Sequence, residues 1–151
     1  MKIAVLFGGI SPERNVSVAG GKAVVQALRQ KGHTVYPIDP AFGANGLISD
    51  FELSSPENYP TTDELSKYPP RNLMECINSA LFDSIDVAFI VLHGQYGEDG
   101  RIQTLLELRE IPYTGSKIKA SAVGIDKIAS KILFSASVVQ ESLRRSLNSS
   151  L

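Results

Sequence analysis

The chain has 151 residues, 43% of them hydrophobic, with 15 basic against 16 acidic side chains and a net charge of −1. That is one domain's length with enough apolar material for a core, and the near-neutral balance, without a basic or acidic block, excludes an electrostatic nucleic-acid or membrane surface. A single cysteine, Cys76, leaves no disulfide framework or cysteine-based metal site, and no apolar run approaches the ~20 residues that cross a bilayer, so a cytoplasmic domain is expected.

Apolar runs alternate with amphipathic stretches, the pattern of an α/β fold: an open, mostly parallel sheet of about four strands with flanking helices. KIAVLF (2–7) reads as a first buried strand. GGISPERNVSV follows as a loop leading into a helix, with Ser11 as N-cap and Pro12 at the first helical position. Ala19, Ala23, Val24, Ala27 and Leu28 recur at helical spacing, and Gly32 stops the helix. TVYPI (34–38) is a second strand, placed at an edge by Pro37. Residues 39–70, rich in Asp, Pro, Ser, Gly and Asn, read as an irregular surface excursion with a short strand near ISDFEL (48–53). A short helix is expected over 71–82. DVAFIVL (86–92), the most hydrophobic strand, is expected at the centre of the sheet. An amphipathic helix over 99–111 turns Ile102, Leu105, Leu106 and Leu108 inward, and PYTG (112–115) is a short fourth strand. Two short helices follow, SKIKASAVGI and DKIASKILFSA, the second capped by Asp126. The tail beyond 135 is Ser-rich, with no strand and no clear core face.

Open α/β sheets bind ligands beyond the carboxyl ends of their strands. Two segments end there with glycines and polar groups: FGGISPERNVS after the first strand and LHGQYGEDGRIQT (92–104) after the third. Gly8 and Gly9 let a backbone approach a ligand closely, but two glycines alone make no dinucleotide fingerprint. Glu13 sits at the mouth of a helix, where a carboxylate is stabilised by roughly 0.3–1 kcal/mol; the plain alternative is helix-dipole decoration, with Arg14 a solvated neighbour. His93 stands at the strand end with an imidazole able to donate and accept, or it simply closes the strand. Gly94, Gly97 and Gly100 fit backbone shapes closed to other residues. Glu98 and Asp99 suit a helix N-terminus, Asp99 as N-cap; two acids without a third ligand are a poor metal site.

The run HGQYGEDGRIQ closely resembles the amino-terminal signature of D-alanine–D-alanine ligases, ATP-grasp enzymes of peptidoglycan precursor synthesis. The likeness extends through KIAVLFGGISPERNVSV and PYTGSKIKASAVGIDKIASKILF, covering residues 1 to 135; Thr104 departs from it, standing where a smaller residue is usual. The resemblance implies a Rossmann-like pre-ATP-grasp domain. It implies that Glu13 holds the ammonium group of a first D-alanine, that Val16 and Ser17 line the same pocket, that His93 supports the forming bond, and that Lys127 reaches an ATP phosphate; Lys127 read by itself is a surface lysine. ATP and Mg²⁺ are the implied cofactors, D-alanine and ATP the partners, and a homodimer the implied assembly. The family's central and carboxy-terminal parts, which carry the phosphate clamp and the metal-binding side chains, have no counterpart here, so no metal ligand is expected in this chain and the chain alone is expected not to ligate. The alternative is a non-catalytic module for a small amino acid or anion.

Overall fold

The structure, a computed structural model, describes residues 1–50, 53, 64 and 67–148. Strands β1 (Lys2–Leu6), β2 (Thr34–Ile38) and β3 (Val87–Ile90) form a parallel sheet in the order β2-β1-β3. β1 is central. Ala4 and Leu6 point into one core, Ile3, Val5 and Phe7 into the other, and all five are buried. Successive side chains alternate between faces and both faces are covered, which is why the run is apolar without interruption.

The more hydrophobic β3, expected at the centre, instead flanks β1, and three of its four residues are half-buried. Its outer side meets one bridge, Ala88 to Tyr113, with Ala88 N–H donating to Pro112 O at 2.8 Å and Thr114 N–H to Ala88 O at 3.0 Å. The expected fourth strand is therefore a single bridge. Pro112 has no N–H to extend a ladder, and Gly115 turns the chain away at φ 106°. β2 is an edge strand, as its proline requires. Residues 47 and 48 cover that edge, through an antiparallel bridge from Ile38 to Leu47 and Ile48 N–H donating to Pro37 O at 2.8 Å. The strand expected over 48–53 is not extended: Asp50 and Leu53 are helical, and residues 51 and 52 lie outside the described residues.

Helix α1 (Arg14–Gln30) packs on one face of the sheet. It starts later than Ser11 suggests: a turn closed by Arg14 N–H on Ser11 O at 3.0 Å comes first, and Ser11 Oγ caps the Glu13 N–H at 3.1 Å instead of a helical one. Its inward stripe also differs from the alanine pattern. Ser17, Val18, Gly21 and Val25 are buried, whereas Ala19, Ala23 and Ala27 face out. Gly21 explains the rotation, because a Cβ there would stand 2.5 Å from the Cβ of Phe7. A mid-helix glycine costs roughly 1 kcal/mol in propensity, but here it lets the helix axis settle onto a central-strand phenylalanine.

The other face is covered by α2 (Arg71–Asn78), a 3₁₀ turn (Ala80–Phe82) and α3 (Arg101–Leu108), which bury Cys76, Ile77, Phe82, Ile102 and Leu106 against Ala4, Leu6 and Ile38. Leu108, expected inward, is 77% exposed, because α3 is shorter than its apolar pattern and Ile111 fills the core from beyond its end. Helices α4 (Ile118–Ile125) and α5 (Lys127–Asn148) end the described chain. Asp126 caps α5 as expected, its Oδ1 accepting from the N–H groups of Ile128 at 2.9 Å and Ala129 at 3.0 Å. α5 does not stop at residue 136; it continues as helix to Asn148. Among the described residues no helix is long and apolar enough to cross a membrane.

Candidate ligand site at the strand ends

The first loop is held by groups from elsewhere in the chain. Arg14 is buried, not solvated: its Nη2 pairs with Asp39 Oδ2 at 2.5 Å and its Nη1 donates to Gly9 O at 2.8 Å. Its guanidinium also lies over the Phe42 ring, 5.7 Å from the centroid. Asp39, the first residue beyond β2, accepts on Oδ1 from Gly9 N–H and Ala41 N–H, both at 3.0 Å. Burial pushes the Asp39 carboxyl above its ordinary value, opposed by the Arg14 charge and by these N–H donors. Ser17 is fully buried; its Oγ accepts from Gly8 N–H at 2.8 Å and donates to Val91 O at 2.7 Å. Three strand exits are thereby tied together: the β1 loop, the residue after β2 and the residue after β3.

The second loop is held mostly by itself. Glu98 Oε2 accepts from Gly94 N–H at 2.7 Å, and Asp99 accepts from Tyr96 N–H at 2.9 Å and Arg101 N–H at 3.1 Å. The acid pair shapes the turn, and Asp99 serves the first helical N–H from one position before the N-cap, which is Gly100 at φ 91°. Gln103 Nε2 closes the loop onto Gly97 O at 2.9 Å. Gly97 is required by contact and not by backbone angle: a Cβ there would lie 2.5 Å from that of Leu92. Thr104 back-bonds to Gly100 O at 2.7 Å, so its extra bulk leaves no unpaired hydroxyl.

The two loops meet at Gly94. A Cβ on that residue would fall 2.7 Å from Glu13 Oε2 and 2.7 Å from Ser11 Oγ. The Glu13 carboxylate thus reaches the backbone next to His93. His93 itself borders two crevices, one shared with Gly9, Ser11, Ala41 and Leu73, the other with Glu98, Gln103, Thr114 and Ser121. Glu13 is exposed and lines neither of these crevices; what joins the two loops is the approach of its carboxylate to Gly94, the residue after His93.

The remaining sequence candidates fall elsewhere. Val16 is 61% exposed on the outer side of the first turn of α1. Ser17 is fully buried and lines neither crevice; it links the Gly8 N–H to the Val91 carbonyl. Lys127 is exposed at the start of α5, two residues beyond Ile125, which borders the second crevice. Among the described residues no three His, Cys, Asp or Glu side chains converge, so they do not by themselves fit Mg²⁺. For ATP, the sequence candidate Lys127 is an exposed lysine that no hydrogen bond or ion pair orients among the described residues. Sequence reasoning missed the Arg14–Asp39 pair; the only cue was an Asp directly after a buried strand.

A parallel three-stranded sheet covered by helices on both faces, with glycine-bearing loops at its strand ends, makes this an α/β domain of the open-sheet class, in which ligand sites fall at that edge. The chain belongs to the D-alanine–D-alanine ligase family: the D-ala D-ala ligase N-terminus family matches residues 2–116. The D-alanine–D-alanine ligase of Citrifermentans bemidjiense is 42% identical over 135 residues, which cover 89% of this chain and 34% of that protein. That of Gluconobacter oxydans is 40% identical over 136 residues, covering 90% and 35%. Among solved structures, the D-alanine–D-alanine ligase of Coxiella burnetii superposes with a TM-score of 0.65 at 28% identity, over 91% of this chain and 42% of its own. The Bacillus anthracis ligase complexed with ATP gives 0.59 at 28% identity, over 91% and 37%. The chain spans about a third of the length of the curated relatives it matches.

Proposed function

We propose that this domain supplies the first-substrate pocket of an ATP-dependent D-alanine–D-alanine ligase acting in peptidoglycan precursor synthesis. The observation that carries the reading is the approach of the Glu13 carboxylate to Gly94 beside His93, where a Cβ on Gly94 would stand 2.7 Å from Glu13 Oε2, in a chain of this family. Glu13 receives the ammonium group of D-alanine. The glycines of both loops leave backbone uncovered beside it. His93 orients the substrate carboxylate and steadies charge as it is activated. ATP supplies the phosphoryl group for that activation. Lys127 approaches a phosphate from the edge of the domain, together with cationic and metal-binding groups contributed from outside these residues. A cytoplasmic location and pairing of two copies belong to the same family reading.

ADP release from ATP, Mg²⁺ and D-alanine tests this, with the chain alone and with a separate polypeptide carrying the remaining two-thirds of a relative. The expected result is no ADP from the chain alone, D-alanine-dependent ADP from the mixture, and loss of that ADP with Glu13→Gln. D-alanine-dependent ADP from the mixture that is indifferent to Glu13→Gln contradicts the assignment. D-alanine binding without ADP in either case favours a non-catalytic module instead.

A further inference from the structure

We propose that Arg14 and Asp39 are positioning residues for Glu13. The inference rests on the reading of Glu13 as the ammonium-binding carboxylate. The ion pair grips both polar groups of one residue in the first loop: the Gly9 N–H donates to Asp39 Oδ1 at 3.0 Å, and the Gly9 carbonyl accepts from Arg14 Nη1 at 2.8 Å. Both charged side chains are essentially out of solvent, at 2% and 0% exposure. Arg14 follows Glu13 directly, so its buried side chain fixes the backbone from which Glu13 projects outward. Glu13 N–H is itself held by Ser11 Oγ at 3.1 Å, within the short span that Gly9 and Arg14 bracket.

The clamp has a second arm. Ser17 joins Gly8 N–H to Val91 O, two residues before His93. The first arm sets the Glu13 loop against the β2 exit, and the second sets it against the β3 exit that leads to His93. Relaxing either arm moves the carboxylate relative to the Gly94 backbone without removing any group that touches substrate. Positioning errors on the scale of an ångström are costly in binding and turnover. Only the planar guanidinium fork meets Asp39 and the Gly9 carbonyl together; a lysine keeps the charge and loses that geometry.

The test is a double-mutant cycle on D-alanine affinity, measured by isothermal titration of the 151-residue chain. Circular dichroism confirms that each variant folds. Arg14→Lys is expected to weaken D-alanine binding roughly tenfold and to add nothing once Glu13 is already Gln. Should Arg14→Lys fail to fold, Ser17→Ala breaks the second arm without stranding a buried charge, with an expected loss of roughly threefold that again disappears in the Glu13→Gln background. Wild-type affinity in folded Arg14→Lys or Ser17→Ala, while Glu13→Gln weakens binding, overturns the positioning role and leaves the pocket reading standing. An equal loss in both backgrounds also overturns it, since the residues then act on the fold and not through Glu13. No effect from Glu13→Gln removes the pocket reading, and the inference with it.

Discussion

The two glycine-bearing loops at the strand ends are built on opposite plans. In the second loop each stabilising bond spans a few residues: Glu98 to Gly94, Asp99 to Tyr96 and Arg101, Gln103 to Gly97. In the first, Asp39 reaches Gly9 from 30 residues away and Ser17 reaches Val91 across 74. The second loop is a local fold with an exposed Glu98 and a half-buried Asp99; the first takes its shape from a buried ion pair that exists only once the sheet has formed. Damage to the second loop should therefore stay local, whereas damage to the supports of the first should spread to the whole domain.

Arg14→Ala or Asp39→Ala is expected to cost about 3–5 kcal/mol, because each strands the other charge in the interior; urea denaturation of the variants measures it, and a loss under about 1 kcal/mol would mean the pair is not buried in solution. Gly97→Ala, which drives a methyl into Leu92, is expected to cost about 1–3 kcal/mol. Asp99→Ala should cost about 1 kcal/mol through the lost N–H partners at the start of α3, and Glu98→Ala no more than that. If either acid proved as costly as Asp39, the division between a local and a long-range loop would fail.

Cys76 gives a smaller and pH-dependent signal from beneath the first loop. Burial, and then the nearby Asp39 charge, push its thiol up from 9.0 to about 12. The folded thiol therefore keeps its proton while the unfolded one loses it, so this group's contribution to stability is intact below pH 9 and declines as pH rises toward 12. Denaturation midpoints measured from pH 8 to 11 should fall less steeply in Cys76→Ala than in wild type; parallel curves would show that the thiol is not buried beside Asp39.

The second loop was largely legible in the sequence because its chemistry is local. An aspartate just before a helix describes its own bond to the Arg101 N–H, although Glu98, read with it at the helix N-terminus, turns back to the Gly94 N–H instead. In the first loop the sequence singled out Gly8, Gly9 and Glu13 but not what holds them: Gly8 is buried, and a Cβ there would run into the Asp39 carboxylate and the Arg14 guanidinium. Arg14 reads as a solvated neighbour of an exposed acid, and nothing in its surroundings along the chain announces a partner beyond the next strand. The inward stripe of α1 misled for a related reason: three alanines at helical spacing suggest a buried face, but fitting the bulk of Phe7 requires Gly21, so the helix rotates and the alanines face solvent. The order of the strands was misjudged because hydrophobicity was equated with centrality. β3 is the more apolar strand, but β1 carries partners on both sides. The capping role of Asp126 was plain, since it depends on residues two and three positions away.

One amino-acid site formed by the two loops at Glu13 and Gly94 requires that both respond to the same ligand. The measurement that tests it most directly is an amide-resolved NMR titration of the chain with D-alanine and, separately, L-alanine. The Gly9 and Gly94 amides are expected to shift together with a single D-alanine dissociation constant, L-alanine to bind more weakly, and Glu13→Gln to weaken both responses in parallel. Shifts in one loop without the other, or equal responses to the two enantiomers, would contradict it.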